Sequence, residues 1–255
     1  MTNINLMYHD VYLNDTQESG LDADGAFMYK MKVSLFEEHI ASIRKALDEG
    51  VGHFQNVFFT FDDGGASFYT TIAPILEKYG FRGCFFIASK YINTPKFLRS
   101  EQIKDLDKRG HIIASHSHTH PENIALLGYN DIVAEWKESC DILSAIVGHK
   151  VTTASIPNGD SSKSVERAAA DAGIEILFTS EPTTKDRLSN GVLLKGRYVV
   201  YGDTKTAELL NIAFSETKRK KIKLRYAVLN ILHKILGSNY NVIKTKILEF
   251  YSKKQ

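Results

Sequence analysis

Cysteine is nearly absent: Cys84 and Cys140 are the only two in 255 residues. Two cysteines in a chain this long make no disulfide framework. Cys84 lies in an apolar run and Cys140 in a helical pattern, so both read as core residues. Long hydrophobic runs are missing too. No stretch approaches the roughly 18 apolar residues of a membrane span. The opening MTNINLMYHD lacks the basic start and apolar stretch of a secretory leader, so the expected location is the cytoplasm. There is no internal repeat and no low-complexity linker. No recognisable nucleic-acid-binding motif is present, so nucleic acid is not an expected partner. Nothing in the sequence sets an oligomeric state.

What is present is ordinary globular composition, 43% hydrophobic and 24% charged, enough to bury one sizeable core. The formal net charge of +2 hides an uneven distribution. From Glu216 onward there are eleven Lys/Arg against two Asp/Glu, which leaves 21 against 28 in the rest. The body is mildly acidic and the tail strongly basic.

Short apolar strands alternate with amphipathic helices. Strands are expected at Asn3–Tyr8, Asn56–Phe61, Gly83–Ala88, His111–Ala114, Thr153–Ile156, Ile174–Phe178 and Leu193–Val200. Between them fall helices from Ser34 to about Leu47, with Ser34 and Glu37 as a capping box, and over Ser67–Tyr79, kinked or restarted at Pro74. Further helices are expected at Glu101–Arg109, Asp131–Val147 and Ser164–Ala172, closed by Gly110, Gly148 and Gly173. This alternation predicts an α/β fold with a parallel sheet, closed or nearly closed. The simplest partition is a catalytic domain over 1–215 and a basic helical extension over 216–255.

In parallel α/β barrels the active site sits at the C-terminal ends of the strands. Polar clusters fall at those ends: His9-Asp10, Asp62-Asp63, Ser115–His120 and Asn158–Asp160. Thr60-Phe61-Asp62-Asp63-Gly64 reads two ways, as a turn or as a metal ligand beside a base. His116 and His120 are four apart, and on a helical turn both rings would share one face and could grip one cation. His118 would then point away. Asp63, His116 and His120 make a two-His, one-carboxylate set, which leaves positions open for water and substrate. Such donors suit Zn²⁺, with Co²⁺, Ni²⁺ or Mn²⁺ as alternatives. Asp62 beside them is a candidate general base.

These residues carry a resemblance. Thr60–Gly64 matches in full the Thr-Phe-Asp-Asp-Gly motif of the polysaccharide deacetylases, carbohydrate esterase family four. His116–His120 matches that family's His-Ser/Thr-x-x-His motif. Leu6–His9 and the sequence around Val33–His39 are also similar, so the resemblance covers about residues 4–200. It implies a distorted (β/α) barrel of about seven strands, Asp62 as catalytic base, and Asp63, His116 and His120 as metal ligands. The implied reaction is hydrolysis of an acetamide on an amino sugar. Water activated by the metal attacks, and a backbone N–H helps hold the oxyanion.

The match departs from the family at its third motif, Arg-x-Pro-aromatic-Gly, which here reads Ser155-Ile156-Pro157-Asn158-Gly159. Asn158 can still offer its backbone N–H to an oxyanion. The arginine that orients the base is missing, and Arg197 is the candidate to replace it. The family's late Leu-x-His motif has no match; His9 is the best remaining imidazole, a candidate general acid or a water-mediated neighbour of the metal. Asp10 and Asp160 are candidates either for contact with the substrate or for supporting the residues of the site from behind. His39, His53, His111 and His149 read as surface or core residues. The departures resemble a branch associated with bacterial capsule or O-antigen polysaccharides, so the implied substrate is an N-acetylated sugar or lipid-linked glycan. Hydrolysis of another bond, an O-acetyl ester or non-sugar amide, is the alternative, as is an inactive carbohydrate-binding barrel. In the tail, cations crowd Lys218–Arg225, and Leu224, Val228, Ile231 and Ile235 follow at helical spacing. That pattern suits either packing on the barrel or peripheral contact with an anionic membrane.

Overall fold

Apolar runs too long to alternate, such as Ile4–Tyr8 and Phe59–Phe61, need cover on both faces, and a parallel sheet flanked by helices supplies it. The computed structural model describes residues 2–22, 25–51 and 55–236, without the side chains of 55 and 232–236. His53 and the side chain of Ile235 lie outside the described residues. In chain order the elements are β1 (Thr2–Tyr8), β2 (Val11–Tyr12), β3 (Met31–Lys32), α1 (Val33–Asp48), β4 (Gln55–Phe61), α2 (Ala73–Lys78), β5 (Gly83–Ile87), α3 (Ser100–Lys108), β6 (Ile112–Ser115) and α4 (Tyr129–Val147). There follow β7 (Thr153–Ser155), α5 (Lys163–Asp171), β8 (Ile176–Phe178), β9 (Arg187–Ser189), β10 (Val192–Lys195), β11 (Tyr198–Val199), α6 (Thr206–Phe214) and α7 (Glu216–Leu236).

Nine strands form one sheet in the order β11-β1-β4-β5-β6-β7-β8-β10-β9, and β2 pairs with β3 separately. All neighbours in the large sheet run parallel except β9, which is antiparallel to β10. Consecutive β10 and β11 stand at opposite ends of the parallel array, yet only Gly196 and Arg197 separate them. Three Cα steps reach at most about 11 Å, so the array must curl until its edges nearly meet. The sheet is thus a strongly curled, barrel-like α/β array.

The expected seven strands become nine for two reasons. The run Leu193–Val200 is not one strand: it breaks at Gly196-Arg197 into β10 and β11. A hairpin adds β9, turning through Asn190 and Gly191 at φ 49° and 86°. The capping box at Ser34 is also corrected. Lys32 is the N-cap and makes no side-chain bond, because Met31-Lys32 pairs with β2 and the chain enters the helix straight from a strand. At Pro74 the helix restarts as expected: a π turn over Phe68–Ile72 gives way to α2, with Pro74 in its first turn, where a missing N–H costs nothing.

Aromatic rings fill the core between β1, β4, β5 and α1. Tyr8, Phe36, Phe59, Phe61, Phe68 and Phe85 are each buried and make edge-on, tilted or stacked contacts. Full burial of such a side chain is worth about 1.5–3 kcal/mol, so this cluster anchors the strands that carry the site. Cys84 and Cys140 are free and buried, and burial pushes both thiols up in pKa. The described residues divide after Ser215 into two compact units, the second holding α7. No described helix is long and apolar enough to cross a membrane.

Candidate active site

Parallel pairing brings the C-terminal ends of β1, β4, β6 and β7 to one rim of the curled sheet. The β1–β4 register sets Tyr8 opposite Phe61, which puts His9 and Asp62 side by side. Asp63 adopts φ 87°, a left-handed conformation uncommon outside glycine, and this lets two successive carboxylates enter one site. His116 follows β6 directly. The segment 116–120 is not a helical turn, which corrects the expectation for its two histidines. Ser117 and His120 instead take φ 64° and 55°, and the loop folds back until the imidazole centroids are 5.0 Å apart.

Local hydrogen bonds explain why this loop holds. Glu135 on α4 accepts from the His118 and Thr119 N–H groups at 2.9 and 2.8 Å and from the Thr119 hydroxyl at 2.6 Å. The Ser117 hydroxyl accepts from the His120 N–H at 3.1 Å. His118 turns away to Ser89, 2.9 Å from its Nδ1, and to Glu138. Nothing in the sequence pattern singled out Glu135; it is one acidic residue among several on an amphipathic helix.

Asp63, His116 and His120 form a group that could hold a metal ion, with one ligand atom from each all within 4.8 Å of one another. The Asp63 Oδ1 lies 3.5 Å from His116 Nε2 and 3.4 Å from His120 Nε2. A tetrahedral cation with bonds of about 2.0–2.1 Å separates its ligand atoms by roughly 3.3 Å, so the donors fit a divalent transition metal in both spacing and chemistry. His116 Nδ1 is held by the Ser155 carbonyl at 3.1 Å and hydroxyl at 2.6 Å, which leaves Nε2 free to ligate. Burial pushes the His116 pKa down to about 4, so the ring is neutral, as a ligand must be. For Asp63, burial acts upward, but the His120 hydrogen bond and the nearby imidazoles outweigh it and hold the carboxylate well below its ordinary range.

Asp62 is nearly buried and lies 3.8 Å from His116 Nε2. Arg197 donates Nη1 to its Oδ1 at 2.6 Å and Nη2 to its Oδ2 at 2.8 Å. Arg197 Nε reaches the Thr179 carbonyl at 3.2 Å, and its face covers Phe86. Ser155, standing where the family motif has arginine, adds a longer contact of 3.4 Å to Asp62. Burial would raise the Asp62 pKa; the Arg197 charge and His116 outweigh it and keep it lowered.

The remaining candidates divide. His9 is half-buried, stacked on Tyr29 with centroids 4.4 Å apart, and its Nδ1 is buried without a hydrogen-bond partner among the described residues. Asn158 adopts φ 54° and donates its side chain to the Pro121 and Glu122 carbonyls, tying its turn to the loop after His120. Asp160 lies in the same turn, half-buried. Asp10 is not presented to a substrate. It is buried, accepts from Ser19 and Ser67 at 2.5 and 2.7 Å, and is covered by Gly20 and Gly65, where an added Cβ would fall within 2 Å of its oxygens. Its role is to pin the 10–20 loop to the start of the π turn. Burial raises its pKa to about 6. His39 and His111 are buried core residues and His149 is on the surface.

A family model described as polysaccharide deacetylase matches residues 49–177, half of the chain. The chain belongs to the polysaccharide deacetylase family. The matched stretch holds Asp62, Asp63, His116 and His120 and stops short of Arg197. Among similar proteins, Bacillus subtilis YxkH, named for the same family, is 30% identical over 131 residues, 51% of this chain and 47% of its own. A chitin deacetylase of Arthroderma benhamiae is 30% identical over 117 residues, 45% of this chain and 31% of its own. The chain therefore spans less than half the length of these relatives. Among solved structures, the Streptococcus pyogenes deacetylase PplD in complex with acetate aligns with a TM-score of 0.66 at 20% identity, covering 84% of this chain and 98% of that one. IcaB from Ammonifex degensii aligns with a TM-score of 0.66 at 18% identity, covering 84% and 97%. At these identities the likeness is one of fold.

Proposed function

We propose that this deacetylase-family protein is a divalent-metal-dependent hydrolase that removes acetyl from an N-acetylated sugar of a bacterial surface polysaccharide or its lipid-linked precursor. The observation that carries the reading is one site in which a carboxylate held by an arginine fork adjoins three fitting metal donors. A bound cation, zinc first among the options, would supply a Lewis acid and lower the pKa of a water beside it. Asp63, His116 and His120 hold that cation, and Ser155 orients His116. Asp62 takes the proton from the attacking water. The Arg197 fork keeps it ionised, and each of its oxygens retains a lone pair for the task. The Asn158 backbone N–H faces the developing oxyanion, Asp160 contacts the sugar, and His9 delivers a proton to the leaving amine. An inactive binding barrel would have no need of the base together with the metal donors.

Acetate release from N-acetylglucosamine oligomers, with an O-acetyl sugar ester and a non-sugar amide as controls, tests the reading. Asp62→Asn should lower the rate by about 10²–10⁴, the usual worth of a general base, with metal content unchanged. His116→Ala should lose the metal. Release from the ester alone, or full activity in Asp62→Asn, would overturn the assignment.

A further inference from the structure

Two tyrosines beside the site have no part in this chemistry. His9, Tyr29 and Tyr201 form a stacked column. Tyr29 lies 4.4 Å from His9 with the planes 27° apart, and 5.4 Å from Tyr201 with the planes 24° apart. The three rings come from separate segments: the end of β1, the turn before β3, and the residues after β11. The inner end of the column is at the active site, since His9 adjoins Asp62 through the β1–β4 register. The outer end is open. Tyr201 is 40% exposed, and Met28 beside the column is 54% exposed.

Burial does not explain why an exposed ring is held in register with two inner ones. The main chain does the holding. The Gly202 N–H donates to the Met28 carbonyl at 2.9 Å, and the backbones approach so closely that a Cβ on Gly202 would sit 2.1 Å from the Lys30 carbonyl oxygen. The Tyr201 N–H donates to Thr204 Oγ1 at 2.9 Å. A rigid aromatic face leading out of a hydrolytic centre suits a ligand with an apolar face and a polar rim. A pyranose ring has that form: C–H groups on its face and hydroxyls at its edge. Tyrosine complements it, with an apolar ring and a hydroxyl at the tip.

We propose that the outer face of Tyr201, backed by Tyr29, is a sugar-binding subsite that takes a neighbouring pyranose ring of an oligosaccharide of N-acetylated hexosamines while the unit to be deacetylated lies at Asp62. The identity of the sugar rests on the proposed function; the platform itself does not. The test is calorimetric binding of N-acetylglucosamine monomer and tetramer to the full chain carrying Asp62→Asn, which blocks turnover. The tetramer should bind more tightly than the monomer. Tyr201→Ala should weaken tetramer binding about tenfold, the worth of on the order of 50 Å² of lost apolar contact, and leave the monomer unchanged. Tyr201→Trp should restore it. Equal tetramer binding with and without Tyr201, or a tetramer that binds no better than the monomer, would overturn the subsite. Tyr201-dependent binding without acetate release by the unmodified chain would keep the subsite and remove the deacetylase reading. Acetate release indifferent to Tyr201 would do the reverse.

Discussion

Arg197 is completely buried, and Asp62 is the counter-charge that makes this tolerable. Removing one partner of a buried pair strands the other charge, so Arg197→Ala is expected to lower stability by about 3–5 kcal/mol. It should also change the pH dependence of catalysis. Arg197 is the foremost of the groups that hold the Asp62 pKa down against burial, and Asp62 must be ionised to accept a proton. Without the guanidinium its pKa rises, so the acidic limb of the rate profile should move to higher pH. Melting curves and acetate release across pH check both effects, and an unmoved limb would show that Arg197 does not act through Asp62. His111 carries a second prediction at this scale. Its Nδ1 accepts from the Gly83 N–H at 3.0 Å and its Nε2 meets Glu77 at 2.9 Å, which fixes a neutral ring with the proton on Nε2. Burial pushes its pKa below 6.5, against the pull of Glu77. The unfolded chain thus binds this proton first, and stability should fall as pH drops below about 6.5. His111→Gln should show a shallower loss between pH 7 and 5 in urea titrations; an unchanged slope would refute the neutral ring.

The loop 116–120 shows how an element can carry a site without regular structure. Two left-handed residues bring the histidines together, and the Glu135 carboxylate on α4 absorbs the N–H groups that such a loop leaves over. Glu135→Ala is expected to weaken zinc affinity about 10–100-fold, the usual cost of losing an outer partner, with the melting of the barrel little changed. Calorimetric zinc titration checks this, and undiminished affinity would mean the loop holds its shape without α4. The histidine spacing marked the site in the sequence, but the helix inferred from it was wrong, because left-handed conformations at Ser117 and His120 depend on a partner that is distant in sequence. The strands that bury both faces were legible from their apolar runs. The break at Gly196-Arg197 was not, since Leu193–Val200 has the composition of one strand; what splits it is that its two halves pair at opposite ends of the array. The β9 hairpin left a signal in Asn190-Gly191, a strong two-residue turn pair, flanked by strands too short to register alone.

At the scale of the whole molecule, the basic excess lies in a different stretch of the chain from the candidate site residues. The first unit carries the excess of acidic residues and every described strand, while the second unit is basic and begins with α7. Along α7, Leu224, Val228 and Ile231 are 67%, 47% and 57% exposed, at a spacing that aligns them on one face. Lys220, Lys221, Lys223 and Arg225 accompany them. A basic helix with an exposed apolar stripe is the pattern that lies in the surface of an anionic bilayer, where each nearby cation contributes about 1 kcal/mol. If the substrate is the lipid-linked glycan proposed above, such docking would raise its local concentration at the site. The expected outcome is that the full chain sediments with vesicles containing anionic lipid and is released by raising salt from 0.1 to 1 M, where the screening length falls from about 10 to 3 Å. A chain ending at Ser215 should stay in the supernatant and keep its activity on soluble oligomers. Sedimentation of both chains alike, or of neither, would remove the membrane role from the helix and leave its apolar stripe to a protein contact.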